Sequence, residues 1–191
     1  YDGVVRGCTA VPPGFADAGI LVPIAGAPLA IAVGVGGNPR YGKLDPCKAA
    51  ELAVMEAVAQ VTAVGATPAG LTDCLNFGDP TVPEHMGAFV AAVDGLAAAA
   101  RALAIPFVSG NVSLYNRSSS GRHVAPSPIV ACLGVLDDVS RSTTGRLRYT
   151  NSRLAFVGSA PMTATVGGTV LAEVMGVSSR TLPSADYSKF L

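Results

Sequence analysis

The chain reads as an α/β or α+β fold, because short apolar runs bounded by turn residues alternate with two long helical patterns. Both helical patterns announce their own starts. In Leu44-Asp45-Pro46, Asp45 suits an N-cap and Pro46 the first helical position, where a missing N–H is no loss. Pro83 opens the second pattern in the same way. The first runs to about Val64 and stops at Gly65; the second runs to about Ala104 and stops before Pro106. Phe89, Val93, Leu96 and Leu103 are expected on the buried face of the second helix.

The other elements follow in order. Tyr1 to Ala16 is turn-rich and is expected to enter an edge strand. Ala18–Ile24 and Pro28–Val35, parted by Gly26, read as neighbouring strands. Gly34-Val35-Gly36-Gly37-Asn38-Pro39 reads as a loop where the backbone comes close to something. Thr67–Phe77 has strand character and ends in the turn Gly78-Asp79-Pro80. Phe107–Leu114 is the next strand, Asn116–Arg122 a polar loop, and Pro128–Leu136 a buried strand. Composition changes at Asp137-Asp138, and Val139 to Ser152, rich in Arg, Ser and Thr, reads as a linker. Arg153–Gly158 is expected to be a strand, and Gly167-Gly168 to open a helical piece through Met175. The expected division is therefore one domain over 1–138, then a linker and the start of a second domain over 139–191. About 50 residues are too few to build a core of their own.

Half of the residues are hydrophobic, enough for a sizeable core, but only 14% are charged, against about a quarter in typical chains. Either much of the surface is hidden against a partner or another domain, or the chain is simply alanine-rich. Thirteen basic residues balance 13 acidic ones, and no basic run appears, so nucleic acid is not an expected partner. No apolar run free of Pro, Gly or charge reaches the ~18 residues of a membrane span, and no signal-peptide pattern is present. Cys8, Cys47, Cys74 and Cys132 are widely spaced and form no C-x-x-C pair. They read as reduced, mostly packed thiols of a cytosolic protein.

Three constellations carry chemistry. Thr72-Asp73-Cys74-Leu75-Asn76-Phe77-Gly78-Asp79-Pro80 places a carboxylate and a carboxamide at the end of a strand, where ligands bind in open α/β sheets. Asp73 and Asn76 offer oxygen atoms to a nucleotide or to Mg²⁺; the plainer reading is a turn built from Asx residues. Ser109-Gly110-Asn111-Val112-Ser113-Leu114-Tyr115-Asn116 offers backbone N–H groups and side-chain oxygens to phosphate, or is an ordinary strand-to-loop transition. Glu56 and Gln60 share one face of the first helix and point to a cleft or to solvent. His85 and His123 have no nucleophile or metal partner nearby in sequence and read as surface residues.

Taken together, Asn38-Pro39-Arg40-Tyr41, Leu44-Asp45-Pro46, Thr72 to Gly78, Ser109 to Asn116 and Gly167-Gly168-Thr169 resemble the third quarter of the phosphoribosylformylglycinamidine synthase family. The order of the segments and the 37-residue step from Asp73 to Gly110 carry the resemblance. It implies a module shared with aminoimidazole ribonucleotide (AIR) synthetase, whose N-terminal half is a mixed sheet with helices on one face. Two such halves pack their sheets together around the reaction cleft. This chain resembles the second of them, followed by the opening of a C-terminal half. The resemblance further implies that Asp73 and Gly110 contact ATP, that Asn111 binds Mg²⁺, and that Ser113 touches formylglycinamide ribonucleotide. Two loops far apart in the chain would thus converge on one magnesium-chelated triphosphate.

The implied reaction is phosphorylation of the formyl amide oxygen by ATP, followed by displacement of phosphate by ammonia. Ammonia comes from a glutaminase subunit or domain. The family's catalytic histidines belong to the first module, so no catalytic residue is expected here and the chain alone is expected to be inactive. Implied partners are that first module, the glutaminase and, for the chain by itself, a second copy, in the cytoplasm. Gly36 stands where the family favours Asp, Gln60 where it favours Asn, and Arg117 where it favours Glu. An auxiliary nucleotide and metal site would draw on Glu56, Gln60, Asn38 and Asn76, without the carboxylate that Gly36 lacks. Two other readings stay open: another enzyme of the same superfamily, or a non-catalytic module for dimerisation or assembly.

Overall fold

The computed structural model describes residues 8–12, 14–147, 149–155, 165–184 and 187. Six strands form one sheet in the order β1-β2-β3-β6-β4-β5: β1 Thr9–Val11, β2 Gly19–Leu21, β3 Ala30–Gly36, β4 Thr67–Asn76, β5 Phe107–Ser113 and β6 Ser127–Leu136. All neighbours are antiparallel except β4 and β5, so the sheet is mixed. The helices are α1 Pro39–Gly42, α2 Pro46–Ala63, α3 Pro83–Leu103 and the short α4 Val170–Val174. Asp45 caps α2 by accepting from the Lys48 N–H at 3.0 Å, with Pro46 at the first position.

One face of the sheet is covered and one is open. Ala30, Ala32, Leu71, Leu75, Val130 and Cys132 alternate onto the covered face and pack under α2. α2 in turn carries α3 through Ala92, Gly95, Leu96, Ala99 and Leu103. On α3 the expected Leu96 and Leu103 are buried and Phe89 packs edge-on against Phe77, but Val93 is 39% exposed. Small residues took its place because Gly95 lies against the Cys47 carbonyl, and a larger side chain would hold the helices apart. By length and mean hydropathy, 1.5 over its most apolar stretch, α3 is long and apolar enough to cross a membrane. That overrides the expectation that no such stretch exists; here the helix packs on α2 as part of the core.

The glycine run 34–37 is largely strand, not loop. What its backbone approaches is α2. A Cβ on Gly34 or Gly36 would collide with the Ala57 or Ala53 carbonyl, so α2 lies directly on the backbone of β3. Beyond the end of β2, strand β3 has lost its neighbour, and α2 supplies the missing acceptors. The Val35 N–H donates to Gln60 Oε1 at 2.8 Å and the Gly37 N–H to Glu56 Oε2 at 3.0 Å.

Pairing between β4 and β5 contains one irregularity: Leu71 faces Phe107, yet Thr72 faces Ser109, leaving Val108 as an extra residue. The segment after β6 is strapped to the body through Val139 N to Pro28 O, Thr143 N to Val64 O and Gly145 N to Phe15 O. Residues 153–155 are not strand, and the remainder of the strand expected at 153–158 lies outside the described residues. The expected helical piece is α4, capped by Thr169, whose hydroxyl accepts from Ala172 N at 3.1 Å. It docks on α1: Gly168 sits against the Tyr41 ring, Asn38 Nδ2 donates to Gly168 O at 3.3 Å, and Arg40 pairs with Glu173.

Gly36→Ala is expected to lower unfolding stability by about 1–3 kcal/mol, because α2 must lift off β3 to admit a methyl group. Gly19→Ala, where a Cβ would meet nothing within 4 Å, is the matched control and is expected to cost far less in urea unfolding.

Candidate functional site

Strands β3, β4 and β5 run in one direction, so their carboxyl ends and the segments 37–45, 77–82 and 114–126 gather at one edge of the sheet. The two sequence motifs become adjacent strands. Asp73 faces Gly110, Cys74 faces Asn111, and Asn76 faces Ser113. The neighbouring strand ends expected from the sequence are therefore present.

The side chains do not converge as expected. Asp73 shares the parity of the buried Leu71 and Leu75, and its carboxylate lies over Gly110, where any Cβ would come within 3.0 Å of it. Asn111 points to the other, open face, where its Nδ2 lies 3.7 Å from Cys74 Sγ. Alternation along a strand forces this, since neighbouring residues project to opposite faces. Asp73 meets Asn111 only through the backbone, whose N–H favours the charged Asp73 carboxylate. Asp73 is thus no co-ligand of an ion held by the Asn111 amide.

The open face is divided in two. On β3 and β6 it is apolar, with Val35, Leu133 and Val135 exposed. On β4 and β5 it is polar, a ladder of three cross-strand pairs: Thr72 with Ser109, Cys74 with Asn111, and Asn76 with Ser113. Cys74 Sγ stands between two carboxamides, 3.5 Å from Asn76 Nδ2 and 3.7 Å from Asn111 Nδ2. With its nitrogen turned to the thiol, the oxygen of Asn111 is left for a hard cation or a ligand donor. Ser113 is braced by Asn116, whose Nδ2 donates to Ser113 O at 2.8 Å and to Phe77 O at 3.2 Å. Sequence reasoning missed Thr72, Cys74 and Ser109 as members of this ladder. A period of two through 72-74-76 and 109-111-113 was the available signal.

The set suggested for an auxiliary site is brought together only in part: Glu56 and Asn38 line one cavity of about 580 Å³ between α1 and α2, which Gln60 and Asn76 do not line. Glu56 is exposed there, yet it and Gln60 each accept a β3 backbone N–H. Asn38 caps α1, accepting from Arg40 N at 2.9 Å, and gives its Nδ2 to Gly168 O. Asn76 lies apart, on β4, with its Nδ2 on Cys74 O at 3.0 Å. Gly36 has no carboxylate and no room for one. A metal does not fit this set, and among the described residues no group of three His, Cys, Asp or Glu could hold one elsewhere. His85 and His123 are not plain surface residues either. Their rings meet at a tilt, with centroids 4.4 Å apart, and each is half-buried, because the 117–125 segment folds back on α3. The cysteines are free as expected, although Cys8 is exposed rather than packed.

Asp73 is the unusual acid of the site. Burial pushes its carboxyl above the ordinary range, against the opposing pull of the Asn111 N–H, and no cation pairs with it among the described residues. A half-buried carboxylate without a counter-charge is a structural liability of the kind found at ligand sites.

A family profile described as "AIR synthase related protein, N-terminal domain" matches residues 15–136. The chain belongs to that family. The domain is also similar to proteins named phosphoribosylformylglycinamidine synthase subunit PurL. It is 46% identical to that of Methanothrix thermoacetophila over 166 residues, covering 83% of this chain and 22% of the relative. To that of Zymomonas mobilis it is 40% identical over 193 residues, covering 99% of this chain and 26% of the relative. The chain thus spans about a quarter of the length of these relatives. Among solved structures, Thermotoga maritima PurLQS superposes with a TM-score of 0.66 at 29% identity, over 76% of this chain and 24% of that one. The T. maritima PurL complex with ATP gives 0.62 at 29% identity, over 70% and 22%. That with FGAR gives 0.61 at 30% identity, over 69% and 21%.

Because the folded state holds the Asp73 proton more tightly than the unfolded state, this carboxyl supports stability at acid pH. That support is lost as pH rises from the unfolded carboxylate range through the folded pKa. Asp73→Asn is therefore expected to be more stable than the parent near neutral pH. The gap should narrow as pH falls through the carboxylate range in paired denaturation curves.

Proposed function

We propose that the chain is the second N-terminal-type quarter of an ATP-dependent phosphoribosylformylglycinamidine synthase of the cytoplasm, with 1–138 as the domain and 139–191 as linker and start of the next. The whole enzyme joins ammonia to formylglycinamide ribonucleotide in purine biosynthesis. The observation that carries this reading is the polar ladder on the open face, with Asn111 and Ser113 on one strand and the Asn111 amide turned to the Cys74 thiol. A plain assembly module would have little use for such a ladder beside an apolar face. The 40–46% identity to PurL proteins agrees with it.

On this reading the apolar half of the open face meets the first module, and the polar half lines the reaction cleft that the two share. Asn111 would offer its amide oxygen to Mg²⁺, and the ion would supply positive charge to neutralise the transferred phosphoryl group. Gly110, with no side chain, leaves the β5 backbone and the Asp73 carboxylate accessible to ATP at the strand edge. Ser113, held by Asn116, orients the ribonucleotide. No general acid or base is proposed among these residues. Ammonia, supplied by a glutaminase partner, attacks the amide carbon; the C–O bond breaks, and the former amide oxygen leaves as part of the phosphate. Alone, the chain is expected to be inactive and to self-associate through its apolar half-face.

The test is a chimera in which this chain replaces the matching quarter of a full-length PurL. Restored growth of a purine auxotroph supports the reading; a stable but inactive chimera overturns it. In an active chimera, Asn111→Ala is expected to cut the rate on the order of 100-fold and to weaken Mg²⁺ dependence. Cys74→Ala, which frees the amide to rotate, is expected to raise the Mg²⁺ requirement about fivefold, and Cys74→Ser less.

A further inference from the structure

We infer that the cleft between α1 and the hairpin after β5 binds a phosphate-bearing anion, at a site separate from the polar ladder. Pro39, Arg40 and Lys43 form one wall of this cavity of about 420 Å³, and Arg122, His123 and Val124 form the other. Its size falls within the range of about 300–1,000 Å³ usual for small-molecule sites. The charge of its lining is one-sided. Three cations and a histidine face one hollow, with no carboxylate among the lining residues, in a chain of net charge zero and only 14% charged residues. Arg40 leans on Glu173, while Lys43 and Arg122 form no ion pair among the described residues.

The walls are built rather than loose. Gly42 of α1 lies against the Pro126 carbonyl so closely that no Cβ would fit, which fixes the two sides relative to each other. The hairpin is closed by Ser118 N to Arg122 O at 2.8 Å, Val124 N to Asn116 O at 3.0 Å, and a bridge between Arg117 and His123. The His85 ring supports that of His123 from behind at 4.4 Å. His123 lines the cleft with its ring, while its Nδ1 is buried and has no hydrogen-bond partner among the described residues. The nearest acid on the hairpin's side, Asp79, senses His123 and Arg117 but spends Oδ1 on Thr81, whose N–H lies at 2.9 Å.

The chemistry selects an oxyanion. Guanidinium groups bind phosphate oxygens in pairs, and an ammonium adds a compact charge. Pro39, Val124 and Ala125 supply a small apolar rim that suits the carbon body of a sugar phosphate better than a bare ion. The cleft lies beyond the carboxyl ends of β3 and β5, the edge at which α/β sheets receive ligands.

The test titrates the 191-residue chain with ribose 5-phosphate, inorganic phosphate and ribose by calorimetry, for the parent, the double variant Lys43→Ala/Arg122→Ala and Asn111→Ala. Saturable binding of ribose 5-phosphate that weakens at least about tenfold in the double variant, and not in Asn111→Ala, is the expected result. Equal binding of inorganic phosphate would also support the site and would limit recognition to the phosphate. Circular dichroism of the double variant matching the parent shows that lost binding is not lost folding. The inference is overturned if the parent binds neither phosphate probe, if ribose binds as well as its phosphate, or if the double variant binds unchanged. Loss of binding in Asn111→Ala also overturns it, by placing the anion on the ladder.

Discussion

Everything in this domain hangs on a helix lying directly on a strand backbone. Three glycines on the covered face, Gly34, Gly36 and Gly134, remove the side chains that would hold α2 away from β3 and β6. Ala50, Ala53 and Ala57 keep the helix side of the contact equally thin. At that distance Glu56 and Gln60 reach the strand's own N–H groups and do the work of an absent neighbouring strand. Close packing of this kind leaves little slack for redesign, because an added methyl group meets backbone at Gly34 and Gly36 and the buried Val61 side chain at Gly134. The abundance of Ala and Gly, open to two explanations from composition, is in large part a packing requirement. The exposed valines and leucine of the other face supply the hidden surface that the low charge content also suggested.

With both helices on one side, the opposite face is left to be divided between adhesion and chemistry. The β3 and β6 half is apolar, and the β4 and β5 half carries hydroxyls, amides and a thiol. Asp73 stands outside this division, its carboxylate over Gly110 on the covered side. Any ligand that touches both Asp73 and Asn111 must wrap around the β5 edge instead of sitting in a single bowl.

Most of the architecture was legible because it rests on local signals. Asp45-Pro46 starts α2, Gly65 with φ +90° ends it, and every long strand lies within a residue or two of its apolar run. Identity of the motifs was legible as well, since spacing along the chain survives folding. What failed was orientation. Two motifs read as one grip because sequence gives order, whereas facing depends on pleat parity and on which strand lies next to which. The second role of Glu56 and Gln60 was hidden for a related reason: their partners are backbone groups left over at a sheet edge, which no side-chain pattern reveals. The histidines were misplaced because the hairpin that brings His123 to His85 has no apolar period of its own.

The surplus residue in β5 has a consequence for how such a strand is spelled. Phe107 packs toward the core and Gly110 lies under Asp73, both on the covered side, although three positions separate them and a regular strand would send them opposite ways. Val108, inserted between, turns even into odd for everything downstream. Delete Val108, and Phe107 and Ser109 become ordinary neighbours opposite Leu71 and Thr72, with Asn111 still outward and Gly110 still inward. Press Val108 into the ladder as a regular strand residue instead, and the letters Ser-Gly-Asn-Val-Ser remain intact while their outward and inward assignments exchange, driving Asn111 toward the helices. The facing of the motif is thus held by a bulge that belongs to no motif, and a strand of equal letters without that bulge would show a ligand the opposite side.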